Sequence, residues 1–253
     1  MPAARAYFFV CRVLGRLLRS GRYATARIVD QDGLPQVRKY RLFYAPLLVR
    51  IGGLLMRLLD TGVRVLPQRE WEEREQEVYR TLYGASIATV AAGVLVLPCF
   101  RGETLAALLE DPTLEESARR DAIQRAVVAL AEFHRRGFTH GDAMAENVLI
   151  DPEFGVARWF DFETVHDSSR SPDWRRADDV RALLVTCLVR TDPEKRAEIL
   201  RLVLDVYADE AVTRVLATSF TSVFRRPLTF HLAQAGLSYQ SFQEIRSTPH
   251  PWS

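Results

Sequence analysis

The stretch "FTHGDAMAENVLID", residues 138–151, decides how this chain is read. It sets Asp142 and Asn147 five residues apart, just ahead of the apolar run Val148-Leu149-Ile150. A plain surface loop has no need of that spacing. The apolar run reads as a strand, "PEFG" as a turn and "VARWFDFE" as the returning strand, with Asp161 at its exit. Asn147 and Asp161 thus bracket one two-strand unit. Their side-chain oxygens can converge on a hard divalent cation, as Mg²⁺ requires. Asp142 stands beside them, able to accept a proton from a hydroxyl. A metal to gather phosphate charge and a carboxylate to orient the attacking oxygen are the apparatus of phosphoryl transfer.

Upstream of this loop lies a helix over roughly 114–136, with the stripe Ile123, Val127, Leu130 and Phe133, closed by Gly137. Thr113 and Glu116 are spaced as a capping box for it. Further back, "SIATV" and "GVLVLP" read as strands around an Ala-Ala-Gly turn, and "CFRGETLAALLE" leaves the second strand for a helix. Residues 69–83 form a helix ending near Gly84. Its buried stripe is Trp71, Val78 and Leu82, and Glu75 falls on that stripe. A carboxylate on an apolar stripe needs a partner. "ATARIVDQDGLPQVRKYRLF" reads as a hairpin with an Asp-Gly turn, and Lys39 lies on its second strand. A basic apolar stretch then runs to about Leu66. Residues 5–19 read as a helix with Arg5, Arg12, Arg16 and Arg19 on one face. It suits either packing on the body or resting on anionic lipid. From about Asp178 to Ile245 the periodicity is mainly helical. Strands with one helix come first, then helices with one hairpin, so the expected class is α+β in two lobes.

The 253 residues suffice for one large domain or two small lobes. A net charge of +2 gives a nucleic-acid role no support. Lys39 and Lys195 are the only lysines. Cys11, Cys99 and Cys187 are odd in number and form no CxxC pair, which points to a reducing compartment. The apolar run Ala6–Cys11 is cut by Arg12 and reads as no signal peptide. Leu42–Leu59 is strongly apolar, but Arg50, Arg57 and Gly52-Gly53 interrupt it too often for an unaided membrane span.

"HGDAMAENVLID" followed by "WFDFE" resembles the catalytic loop and metal-binding motif of the protein-kinase-like superfamily, whose pattern is H-x-D-x-x-x-x-N and then D-F-G or a variant. His140-Gly141-Asp142 and Asp161-Phe162-Glu163 look most like the small-molecule branches, which include aminoglycoside, choline and lipopolysaccharide core sugar kinases. The resemblance covers about residues 20–190. It implies ATP and Mg²⁺ as cofactors. Lys39 and Glu75 would form the ion pair that grips nucleotide phosphates. Pro98, Cys99 and Phe100 would meet adenine at the junction of an N-lobe, 1–97, and a C-lobe, 98–253. Asn147 and Asp161 would bind metal, and Asp142 would be catalytic. Asp178 or Asp179 would support the catalytic loop. Departures accompany the likeness: there is no GxG, Gly21 is the only candidate for a phosphate-covering loop, and Met144 stands where serine/threonine kinases carry lysine. The segment from Asp161 to Asp178 is short and lacks Ala-Pro-Glu.

Together these imply an ATP-dependent phosphotransferase acting on a hydroxyl of a sugar or glycolipid, most like the lipopolysaccharide core kinases. The implied place is the cytoplasm, at the inner face of the membrane if the chain makes a peripheral contact there. The alternatives are a compact atypical protein serine/threonine kinase and a nucleotide-binding pseudokinase.

Overall fold

In the computed structural model, residues 8–9, 24–31, 34–58, 60–85, 88–91 and 93–221 are described. Gly21, Cys11 and the part beyond Thr221 of the stretch expected to be mainly helical, to Ile245, lie outside them. Of the expected helix at 5–19 only Phe8 and Phe9 are described, and both are helical.

The class is α+β with small antiparallel sheets. Strands β1 (Ala24–Gln31) and β2 (Leu34–Arg41) form the expected hairpin. The strands β4 (Ala88–Ala91) and β5 (Val94–Pro98) complete a four-stranded sheet in the order β1-β2-β5-β4. Lys39 is opposite Leu95 in the β2–β5 register. A second sheet, β6-β7-β8, joins Glu103–Thr104, Val148–Asp151 and Val156–Trp159. A short pair joins β3 (Val63–Val65) to β9 (Thr164–His166).

The apolar stretch after β2, given no element by its sequence, is helix α1 (Ala45–Leu58). Its glycine pair reads as a breaker, yet Gly52 sits buried on the inward side, where a small residue admits close packing. Between β2 and β4 the chain therefore holds two substantial helices, α1 and α2 (Gln68–Tyr83), where only the one at 69–83 was expected. Helix α2 stops at Gly84, whose φ of 60° opens the left-handed region and turns its N–H back to the carbonyl of Arg80. Helix α3 (Leu105–Glu110) is capped by Thr104.

Helix α4 (Glu116–Arg135) buries Ile123, Val127, Leu130 and Phe133 as its periodicity predicts. Its expected capping box does not form. The Thr113 hydroxyl instead donates to Asp111 Oδ1 at 2.7 Å, and Glu116 pairs with Lys195 at 2.7 Å. Asp111 wins the hydroxyl because an Asx turn is the more local arrangement. Helices α5 (Pro172–Val189), α6 (Arg196–Tyr207) and α7 (Glu210–Thr221) follow among the described residues. One hydrophobic core runs from Trp71 and Leu95 through Phe133 and Phe162 to Leu184 and Val203. No helix among the described residues is long and apolar enough to cross a membrane.

Candidate active site

The loop 138–147 is built from the backbone outward. Gly141 has φ 80°, a region unfavourable to side chains, and a Cβ there would press on Thr164 and Val165 at 3.1–3.2 Å. That contact explains why a glycine precedes Asp142. Of the two aspartates considered for support, Asp179 is the one that holds the loop. Its Oδ2 accepts the His140 N–H at 2.6 Å and its Oδ1 the Gly141 N–H at 2.8 Å. His134 Nε2 lies 3.0 Å from the same carboxylate, and His134 Nδ1 lies 2.6 Å from the Tyr207 hydroxyl at the end of α6. Asp178 turns instead to Arg181 and His166. Burial works against ionisation of Asp179, but the histidines, His166 foremost, outweigh it and hold the carboxyl below the usual range.

Asn147 closes the loop. Its side-chain N–H group donates to the Asp142 carbonyl at 2.8 Å and to Asp142 Oδ2 at 3.2 Å. Its carbonyl accepts the Phe160 N–H at 3.0 Å, which sets Asp161 one residue beyond. The side chain of His140 is fully buried. Its Nδ1 accepts from the Asp142 N–H at 3.3 Å, so Nε2 carries the proton and donates to the Phe160 carbonyl at 2.9 Å. Burial pushes this imidazole down to about 4, so it is neutral at ordinary pH and serves as a strut.

Lys39 lies at the other side of the site. Its Nζ is 2.8 Å from Glu75 Oε1, 2.5 Å from Asp161 Oδ1 and 3.0 Å from Glu163 Oε1. Glu75 is fully buried on α2, and its Oε1 also accepts from the Trp71 indole at 3.1 Å. Arg41 stacks on Trp71 with its guanidinium 4.4 Å from the ring and approaches Glu163 at 4.0 Å. Burial alone would lower the Lys39 pKa. The carboxylates of Asp161, Glu163 and Glu75 overcome that and hold it well above the ordinary lysine value. Burial pushes Glu163 up, with Asp161 adding to the push and Lys39 opposing it. For Asp161 burial also pulls upward, but the Lys39 contact wins and its pKa falls. The Asp161 side chain keeps 40% of its surface exposed, so the Lys39 contact governs. Asp161 also has φ 69°, a left-handed backbone that aspartate tolerates better than most residues.

Of the nine residues singled out in the sequence, Lys39, Glu75 and Asp161 meet directly, and Asp142 meets Asn147. A backbone bond from Phe160 to Asn147 links the two groups. Pro98 ends β5, and Cys99 and Phe100 follow it directly. The Phe100 ring turns to Tyr79, stacking at 5.7 Å, and to Tyr83. Glu163 and Arg41 were not singled out. The sequence signal for Glu163 lay two residues beyond Asp161, and Arg41 is on the same strand face as Lys39. Among the described residues no cluster of three or more His, Cys, Asp or Glu side chains has metal-site geometry. Oxygen donors of the type a hard cation takes are nevertheless present. Three carboxylates face Lys39 and Arg41, one more anion than cation, and Asp161 opens to solvent. Asn147 adds a neutral oxygen of the kind Mg²⁺ accepts.

No protein-family model matches this chain, and no curated protein matches it.

Proposed function

We propose that this chain is an ATP- and Mg²⁺-dependent phosphotransferase of two-lobed, protein-kinase-like architecture. The reading is carried by one observation: the buried Lys39 amine joins Glu75 from helix α2 to Asp161 from the strand exit, 122 residues further along the chain. A lysine on an ordinary surface strand has no reason to be enclosed by carboxylates from such distant segments. In this reading the lobes divide after residue 97, one residue before β5 ends at Pro98.

In this reading Lys39, fixed by Glu75, contacts the nucleotide phosphates. Pro98, Cys99 and Phe100 line the adenine end. Asn147 and Asp161 would hold Mg²⁺, which when bound neutralises charge on the phosphates. Asp142 orients the acceptor hydroxyl and takes its proton. The acceptor oxygen bonds to the γ-phosphorus as the bond to the β–γ bridging oxygen breaks, and ADP leaves. Asn147 holds Asp142 through the bond at 3.2 Å, so base and metal ligand are placed by one side chain. The acceptor class we favour is a sugar or glycolipid hydroxyl, since the short segment between Asp161 and Asp178 leaves little chain for docking a peptide.

The test is Asp142→Asn with labelled ATP against sugars, glycolipid extracts and aminoglycosides. We expect transfer to fall by at least about a thousandfold, the scale of a lost general base together with lost positioning, while ATP still raises the melting temperature. Undiminished transfer by the variant would remove Asp142 from this role. Transfer into protein alone would assign a protein acceptor.

A further inference from the structure

Helix α1 has two apolar faces, and among the described residues only one of them is buried. Ala45, Gly52 and Met56 are buried on the inward side, where Met56 also presents its carbonyl to the Thr61 N–H. On the opposite side Leu47, Ile51, Leu54 and Leu58 are 61%, 47%, 59% and 69% exposed. Their spacing of four, three and four residues lines them along a single stripe of the helix. Phe43, in the turn just before the helix, is 94% exposed and set edge-to-face on Tyr44 at 5.2 Å. A soluble surface scatters such residues singly; a contiguous row marks a contact surface.

Charge selects the occupant. Arg50 and Arg57 are exposed, seven residues apart, and lie along one flank of the stripe. No aspartate or glutamate occurs anywhere from Leu42 to Leu59. A helix with an exposed apolar row, a cationic flank and a leading aromatic pair suits the interface of a bilayer with anionic headgroups, where it lies parallel to the surface. Aromatic rings favour the headgroup level, and arginine tethers the helix to phosphate. Being 14 residues long, α1 is too short to span a bilayer.

We propose that α1 docks this protein on an anionic lipid surface through Phe43, Leu47, Ile51, Leu54 and Leu58, with Arg50 and Arg57 reading the headgroups. This docking is independent of phosphoryl transfer. Combined with it, docking sets the site beside the membrane, because α1 lies in the chain between the strand of Lys39 and the helix of Glu75.

The full chain is sedimented with vesicles of phosphatidylcholine alone, and of phosphatidylethanolamine with phosphatidylglycerol, without nucleotide. We expect binding to the anionic vesicles, weakening at least tenfold on raising the salt from 50 to 500 mM. Leu47→Glu with Leu54→Glu should abolish it, and Arg50→Glu with Arg57→Glu should erase the anionic preference while keeping the melting temperature. No binding to either vesicle, or binding untouched by both pairs of changes, overturns the proposal. So does a wild-type dimer that the leucine changes convert to monomer without any vesicle binding, which assigns the face to a second copy. Should the leucine pair fail to fold, the arginine pair decides alone. Vesicle binding with no phosphoryl transfer would leave this proposal standing and count against the reading of the active site.

Discussion

The two halves of the candidate site solve opposite problems. Around Asp142 every backbone turn is tied down: Asp179 takes two N–H groups, His140 braces Phe160, and Asn147 returns to Asp142. Around Lys39 the arrangement is crowded, with three carboxylates converging on one amine. The first half is a finished network whose geometry is its purpose. The second gathers one more carboxylate than the two cations, Lys39 and Arg41, that face it. Preorganisation and unsatisfied charge thus occupy neighbouring strand ends, joined by the residues between Asn147 and Glu163.

The sharpest way to break this contrast is to remove the amine. Lys39→Met leaves Glu75 and Glu163 facing each other in a closed interior. We expect a loss of about 3–5 kcal/mol by denaturant titration near neutral pH, the scale of breaking a buried ion pair from one side. The loss should shrink in acid, since protonated carboxyls no longer repel. A loss that grows in acid would contradict the charge excess.

The other half is tested by Asp179→Asn. Each carboxylate oxygen takes one N–H and an amide keeps only one of the two oxygens, so we expect roughly 2–3 kcal/mol of destabilisation, together with slowed transfer and a nucleotide-induced melting shift that persists. His140 offers a comparison by pH alone. Its folded pKa is depressed below that of the unfolded chain, so the unfolded state binds the extra proton between pH 6.5 and about 4. Stability should be undiminished by this group above pH 6.5 and should fall through that window by on the order of 3 kcal/mol. His140→Gln should flatten that part of the curve.

The smallest effect is expected at Glu163. Its carboxyl is raised by burial, and Lys39 retains Glu75 and Asp161 when it is neutralised. Glu163→Gln should therefore change stability by less than about 1 kcal/mol, well below the Lys39 substitution. A larger loss would make Glu163 a structural partner of Arg41 and not a surplus charge.

Legibility in the sequence followed the range of the interactions. The β1–β2 hairpin, helix α2 with its Gly84 stop and the α4 stripe all rest on local periodicity, and all appear where that periodicity puts them. Helix α1 did not, because leucine-rich segments with glycines fit a strand, a helix or a loop equally well, and only Met56 and Ala45 packing inward resolves the choice. The strands β3, β6 and β9 are two or three residues long and exist through their partners, so no local signal could mark them. The site showed the same division. Spacing marked Asp142, Asn147 and Asp161, whereas the left-handed backbone of Asp161 and the third carboxylate at Lys39 depend on contacts between distant segments.

The Tyr207 hydroxyl reaches His134, and His134 reaches the aspartate that holds the loop. This sets a lower bound on how far the polypeptide can be trimmed. A fragment ending before residue 207 strands an imidazole nitrogen in a sealed interior and loosens the turn at Asp142 from behind. In a series of C-terminal truncations the shortest piece that keeps its fold should accordingly still carry that tyrosine.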